Sequence, residues 1–255
     1  MSEYPQWAAG VLPPAKTRIV GRKVLVYASV DSTNTTALRV GGDGTIVLAE
    51  EQTAGRGRLG RPWHSAAGRG VWVSVAFEGS SAGLPFAGAL AVRDALAPQL
   101  PTRIKWPNDI LAEDGRKTAG VLVEHRGEVS AVGMGINVTH QDADFPPELR
   151  GAATSVEMIT GQPCDRGALL ADLLEQLDRR VTALRNGGYA AIREEWAEAC
   201  DIVGRRVRYR DTVATVQAID GIGALVLATS EGSERLMVSE SRDIQPLREI
   251  GEWSL

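Results

Sequence analysis

The texture of the sequence changes at Cys200, and that change limits the fold more than any other feature. Before it, β-branched runs alternate with helical patterns. Lys23–Val30 (KVLVYASV), 45–50 (TIVLAE), 71–77 (VWVSVAF), 102–106, 120–124 and 129–138 read as strands. The capping run Asp31-Ser32-Thr33-Asn34 opens a short helical pattern through Leu38, and the Ala- and Leu-rich Leu84–Leu96 reads as a buried helix. The clearest helix is 166–185, where Leu169, Leu170, Leu173, Leu174, Leu177, Val181 and Leu184 fall at three- and four-residue steps; 189–200 presents Ile192 and Trp196. After Cys200 only short β-rich runs remain (205–210, 213–219, 224–228, 235–238), separated by turn residues. The expectation is a mixed α/β body over 18–200 and a small β-barrel over 201–255, with residues 1–17 as a loose, proline-bearing arm.

Composition narrows the function. The 255 residues hold 28 Lys+Arg against 32 Asp+Glu, a net charge of −4, whereas a general nucleic-acid binder usually has a basic excess. Two cysteines and three histidines supply neither a disulfide framework nor a Cys-rich zinc site. The N-terminal stretch lacks the basic-then-apolar order of a signal peptide. The longest apolar run, about 82–92, stops at Arg93 and Asp94, well short of a membrane span. A soluble, cytoplasmic protein with reduced thiols is expected.

Four motifs carry the chemistry. Gly55–Trp63 (GRGRLGRPW) packs three glycines and three arginines into nine residues, inside a stretch (52–77) without a single Asp or Glu. Glycine lets the backbone approach a ligand, guanidinium forks grip phosphate or carboxylate oxygens, and Trp63 offers a flat apolar face. An anion-and-ring site fits this loop; so does a flexible Arg/Gly surface segment of the RNA-binding kind. Lys105-Trp106-Pro107-Asn108-Asp109 follows a strand, where a plain turn and a ligand-facing turn both fit. Gly115-Arg116-Lys117-Thr118-Ala119-Gly120 reads as a solvated hairpin or a placed cation. In Gly133-Met134-Gly135-Ile136-Asn137-Val138, glycines on a strand let a ligand or another backbone come close, and Asn137 is either a buried strand amide or a base reader.

Taken in this order, DSTN, EEQTAGRGRLGRPW, KWPND, KTAGVLVE and GMGINV resemble the biotin protein ligase family, closely over 31–137 and, through the barrel-like tail, over nearly the whole chain. The resemblance implies an α+β fold: a class II aminoacyl-tRNA synthetase-like mixed sheet flanked by helices, with a C-terminal SH3-like β-barrel. It implies that biotin and ATP are joined as biotinyl-5′-AMP, with Mg2+ on the ATP phosphates, and that biotin then passes to one lysine of a biotin carboxyl carrier domain of an acyl-CoA carboxylase. A lipoate- or octanoate-transferring sister enzyme on the same fold is the alternative the arginine loop argues against. A nucleic-acid module using that loop and the 204–210 run (GRRVRYR) is a further one.

The family roles, carried over by position, place Ser32, Thr33, Asn34, Gln52, Gly55, Arg56, Gly57, Arg58, Lys117 and Gly120 around biotin. Arg56, Arg58, Arg61, Trp63, Asn108, Lys117 and Asn137 fall to ATP or the adenylate, and Arg58, Lys117 and Asp109 to catalysis, Asp109 toward the incoming lysine. Leu59 stands where many relatives are basic, and Pro62 stiffens the end of the loop. Glycine density predicts that 55–63 orders only on ligand binding. The DSTN motif begins at residue 31, too early for the winged helix-turn-helix of repressor-ligases, so no operator binding is expected. Relatives of this kind are monomers or weak homodimers, and no membrane contact is implied.

Overall fold

Period-two alternation gives each strand of the body two chemically different faces, and the structure uses both. The computed structural model describes residues 6–8, 10–12, 16–200, 202–238, 240 and 244–246. Its body contains β1 (Lys23–Val30), α1 (Thr33–Val40), β2 (Thr45–Gln52), β3 (Gly70–Glu78), α2 (Leu84–Leu96), β4 (Thr102–Lys105), β5 (Asp109–Ala112), β6 (Lys117–Arg126), β7 (Val129–Asn137), α3 (Val156–Thr160), α4 (Arg166–Gly187) and α5 (Ala190–Cys200). The seven body strands form one sheet in the order β1-β2-β3-β7-β6-β5-β4. Only β1 and β2 are parallel, joined across α1; the remaining neighbours pair antiparallel. The expected mixed sheet flanked by helices is present.

One face is closed by α2, α4 and α5. Val71, Val73, Val75 and Phe77 of β3, Val132, Met134 and Ile136 of β7, and Ala119 and Val121 of β6 point there and share a core with the leucines of α4. α2 is apolar nearly all round because it lies between sheet and helices. Trp196 of α5, fully buried, sits with its ring centroid 4.1 Å from that of Phe86. Asp178 interrupts the apolar stripe of α4 for a reason: its carboxylate accepts the backbone N–H groups of Arg18 (3.1 Å), Ile19 (2.7 Å) and Val20 (2.9 Å), fixing the approach to β1. The opposite face carries α1, with Ala37 packed on Val47, Ala76 and Ala131.

Two expectations need correction. The described part of the 1–17 arm is not loose: Ala8 is buried, and Trp7 Nε1 donates to Glu50 Oε2 at 2.6 Å while Arg166 lies over the Trp7 ring. Residues 1–5, 9 and 13–15 lie outside the described residues. The strand expected over 120–124 begins at Lys117, since β5, which the turn chemistry around Pro107 conceals in the sequence, pairs with it as a hairpin. After Cys200, β8 (Arg206–Tyr209), β9 (Thr212–Ile219), β10 (Leu225–Thr229), β11 (Gly232–Leu236) and β12 (Ile244–Pro246) form one five-stranded antiparallel sheet in the order β11-β10-β9-β8-β12. Its apolar face, with Val207, Tyr209, Val216, Leu225, Leu227 and Leu236, joins the core of the body.

Candidate functional site

The face of the large sheet opposite α2 and α4 is built from small residues in register. One row across the strands reads Ala49–Trp72–Gly135–Gly120–Asp109. The next reads Val47–Ser74–Gly133–Leu122, and a third Thr45–Ala76–Ala131–Glu124. The GMGIN motif now has a physical reading: Met134 and Ile136 enter the core while Gly133 and Gly135 clear a trough on the other side. A Cβ on Gly133 would lie 2.4 Å from Asn34 Oδ1, and one on Gly135 2.6 Å from Trp63 Nε1. The close approach expected at this strand is therefore made by an amide and an indole.

α1 and the end of β2 form one wall. Ser32 caps α1, and Thr33 and Asn34 are buried in its first turn. Gln52 Oε1 accepts from Thr33 N (2.9 Å) and Thr33 Oγ1 (3.0 Å), while Gln52 Nε2 donates to Ser65 Oγ (2.8 Å). Ser74 Oγ reaches both Thr33 Oγ1 (2.7 Å) and Asn34 Oδ1 (2.8 Å). This polar chain lies on otherwise apolar strands, where each unpaired group would cost about 1–3 kcal/mol.

The Gly/Arg loop crosses the trough as a tight hairpin. Trp63 N–H donates to Gly55 O (2.9 Å) and Gly57 N–H to Arg61 O (2.7 Å). At Gly55 a Cβ would meet Trp63 O at 2.6 Å, so the loop can close only over glycine. Leu59 has the left-handed backbone, φ 60, which costs a non-glycine residue about 1–2 kcal/mol. Trp63 lays its ring on the Gly135–Gly120 floor, edge-on to Trp72 with centroids 6.4 Å apart. Its Nε1 is buried without an acceptor among the described residues. Behind this pair His140 is fully buried, stacked on Phe145 with centroids 4.7 Å apart. Burial, and secondarily His64, holds its imidazole down to about 4, so it is neutral at pH 7.

Cations and carboxylates meet at the other end of the trough. Lys117 Nζ lies 2.6 Å from Asp109 Oδ1 and 5.0 Å from the Trp63 ring centroid. A register shift between Ile110 and Leu111 skips Thr118, which lets Lys117 face the same side as Gly120. Arg58 donates to Asn108 Oδ1 (3.3 Å) and to the carbonyl of Val238, beyond β11. Burial pushes its guanidinium below the ordinary arginine value, with Asp109 opposing that shift; it stays cationic. Asn108 Nδ2 donates to Val121 O (2.6 Å), and Trp106 Nε1 of the same motif to Gly223 O (3.1 Å). Away from Asp109, at the far end of β6, Arg56 Nη2 reaches Thr35 Oγ1 (2.9 Å) and Glu124 (3.3 Å).

The structure thus gathers Thr33, Asn34, Gln52, Gly55, Arg56, Arg58, Trp63, Asn108, Asp109, Lys117 and Gly120 on one face. Arg61 stands exposed at the turn of the hairpin. Asn137 is buried, with Nδ2 donating to Thr154 O at 3.0 Å. Sequence reading assigned no role to Ser74 or Glu124. The only signal of Ser74 is one hydroxyl in VWVSVAF, and of Glu124 one carboxylate ending AGVLVE.

Comparison with known proteins bears on this arrangement. The model of the biotin/lipoate A/B protein ligase family matches residues 26–140. The chain is 34% identical to the bifunctional ligase/repressor BirA of Bacillus subtilis, over 87% of this chain and 74% of that one. It is 36% identical to a biotin--[acetyl-CoA-carboxylase] ligase of Paracoccus denitrificans, over 84% and 98% of the two chains. Among solved structures it is similar to a biotin protein ligase from Aquifex aeolicus in complex with biotin and ATP, with a TM-score of 0.74 and 27% identity over 88% of this chain and 98% of that one.

Proposed function

We infer the function from one premise: the chain belongs to the biotin/lipoate A/B protein ligase family, as a biotin protein ligase. It activates biotin with ATP and transfers it to protein. In the first step a biotin carboxylate oxygen bonds to the α-phosphorus of ATP and the bond to pyrophosphate breaks, giving biotinyl-5′-AMP. In the second a lysine amine attacks the acyl carbon and AMP leaves.

The observation that carries the residue assignment is the row Trp72–Gly135–Gly120–Asp109, which sets a floor beside Lys117, with Arg58 bonded to the neighbouring Asn108. Ser32, Thr33, Asn34 and Gln52 meet the ureido end of biotin, where their fixed donors and acceptors suit N–H and C=O groups. The Gly55–Arg58 backbone lines the same pocket. Arg58 and Lys117 hold the carboxylate and α-phosphate together and take up charge growing on the phosphoryl oxygens. Arg56 and Arg61 accompany the phosphates, and Trp63 packs beside adenine. Asn108 and Asn137 stand at the adenylate side. A lysine amine has a reference pKa near about 10.4, so transfer needs proton removal; Asp109 orients the ammonium once Lys117 shares it.

Magnesium fits as an ion brought by ATP. Among the described residues no group of three or more His, Cys, Asp or Glu could hold a metal, and an ion retained by phosphate oxygens and water needs no such cage. Bound there, it would offset triphosphate charge. The acceptor we propose is the carrier domain of a biotin-dependent acyl-CoA carboxylase. We take 18–200 as a class II synthetase-like catalytic domain and the C-terminal sheet as an SH3-like unit of the same site. We place the reaction in the cytoplasm; among the described residues no helix is long and apolar enough to cross a membrane.

Biotin-dependent exchange of labelled pyrophosphate into ATP tests adenylation without the acceptor. Wild-type exchange should require biotin, and Arg58→Ala should lower it by about 100-fold or more, as removal of a preorganised donor does. Exchange without biotin, or an undiminished Arg58→Ala rate, would refute the assignment.

A further inference from the structure

We propose that Glu124 is a positioning residue of this site, presetting Asn34 of α1 and Arg56 of the Gly/Arg loop against β6 before any ligand arrives. Its carboxylate closes the third row of small residues, beyond Ala76 and Ala131, at the end of the trough away from Asp109. There it meets two elements distant in sequence. Asn34 Nδ2 donates to Glu124 Oε2 at 2.9 Å and to Leu122 O at 3.2 Å. Arg56 Nη2 lies 3.3 Å from both Glu124 oxygens and 2.9 Å from Thr35 Oγ1.

The first contact fixes a polarity. An asparagine amide can turn either end toward its neighbours, and only the NH2 end suits a carboxylate and a main-chain carbonyl. Glu124 and Leu122 together therefore hold the carbonyl end of Asn34 toward Ser74, which donates to it at 2.8 Å, and toward the trough. A ligand N–H arriving there meets an acceptor already oriented, with no amide rotation to make on binding. The second contact pins the start of the loop. Both hydrogens of Arg56 Nη2 are engaged, one by α1 and one by β6, so the hairpin is tied to the wall and the floor at once. As an ion pair this contact is partly exposed, with side-chain exposures of 38% and 30%, and contributes little to global stability. Its effect is on where the loop rests.

The ligand-binding half of this proposal rests on the ligase reading; the loop half does not. Glu124→Gln keeps the side-chain length and removes the charge. In the full-length protein without ligand, trypsin should cut Glu124→Gln after Arg56 and Arg58 roughly threefold faster than wild type, with melting temperatures alike. In pyrophosphate exchange the same variant should raise KM for biotin roughly tenfold with kcat nearly unchanged, because binding pays the reorientation and the reacting groups are untouched. Glu124→Asp, which keeps the carboxylate, should recover most of the biotin affinity and serves if the glutamine variant folds poorly. Wild-type cleavage rates, or a fall in kcat at unchanged KM, would overturn the proposal. The proteolysis contains no ligand, so it decides on Glu124 even if wild-type exchange fails, a result that would sink the ligase reading instead.

Discussion

The two faces of the seven-stranded sheet are made by the same strands and follow opposite rules. Toward α2, α4 and α5 the central strands present mainly Val, Ile, Met and Phe, with Glu50 and Ser130 at the margins. Toward α1 and the Gly/Arg loop they present Gly120, Gly133, Gly135, Ser74, Ala76 and Ala131. One face is packed mainly with side-chain carbon; the other leaves room and fills it with amide, hydroxyl, indole and guanidinium groups. Stability and chemistry are thus divided by side-chain direction, and a one-residue shift in register would exchange them.

The comparison breaks first if the helical face matters little to stability. Trp196→Ala removes the largest ring packed on Phe86 and should cost about 3–5 kcal/mol, lowering the melting temperature by roughly 10 °C while the folded fraction keeps wild-type exchange activity. A small shift in the melt would remove the division.

The seam between the faces is tested by acid. His140 is held neutral down to about 4 when folded, against an ordinary value of 6.5, so the unfolded chain takes up a proton that the folded chain refuses. Its contribution is complete above about pH 6.5 and is lost as pH falls from there toward 4, reaching about 2 kcal/mol between pH 7 and pH 5. Thermal melts at both values should show this loss in wild type and a smaller one in His140→Phe; equal losses would exclude His140 as the cause.

The smallest expected effect sharpens the contrast most. Gly135→Ala puts a methyl group against the Trp63 ring, where the loop can shift aside. Exchange should fall about tenfold, the equivalent of overpacking by 1–2 kcal/mol, with the melting temperature nearly unchanged. A large loss of stability with intact exchange would mean that this glycine serves the core.

Much of this division is legible in the sequence, because it follows from alternation within single strands. VWVSVAF and GMGIN show the apolar residues at one parity and the small ones at the other, and the spacing of α4 shows what covers the first set. The loop glycines and arginines are equally visible. What escapes is whatever depends on elements meeting. Glu124 is one carboxylate at a strand end until Asn34, 90 residues away, and Arg56, 68 away, fold onto it. β5 hides behind a proline turn, and the seating of Trp7 depends on Glu50 and Arg166, far along the chain.

The contacts of Arg58 and Trp106 with the C-terminal sheet bear on how that sheet could be exchanged. Both end on main-chain carbonyls, those of Val238 and Gly223, and a carbonyl is present whatever residue carries it. The carbonyl contact at 238 therefore does not depend on which side chain stands there, although Val238 also packs against the core, whereas Gly223 is held by its positive φ and by Phe86 beneath it. A chimera that exchanges this sheet should succeed when the backbone course at 223 and 238 is preserved together with an apolar side chain at 238.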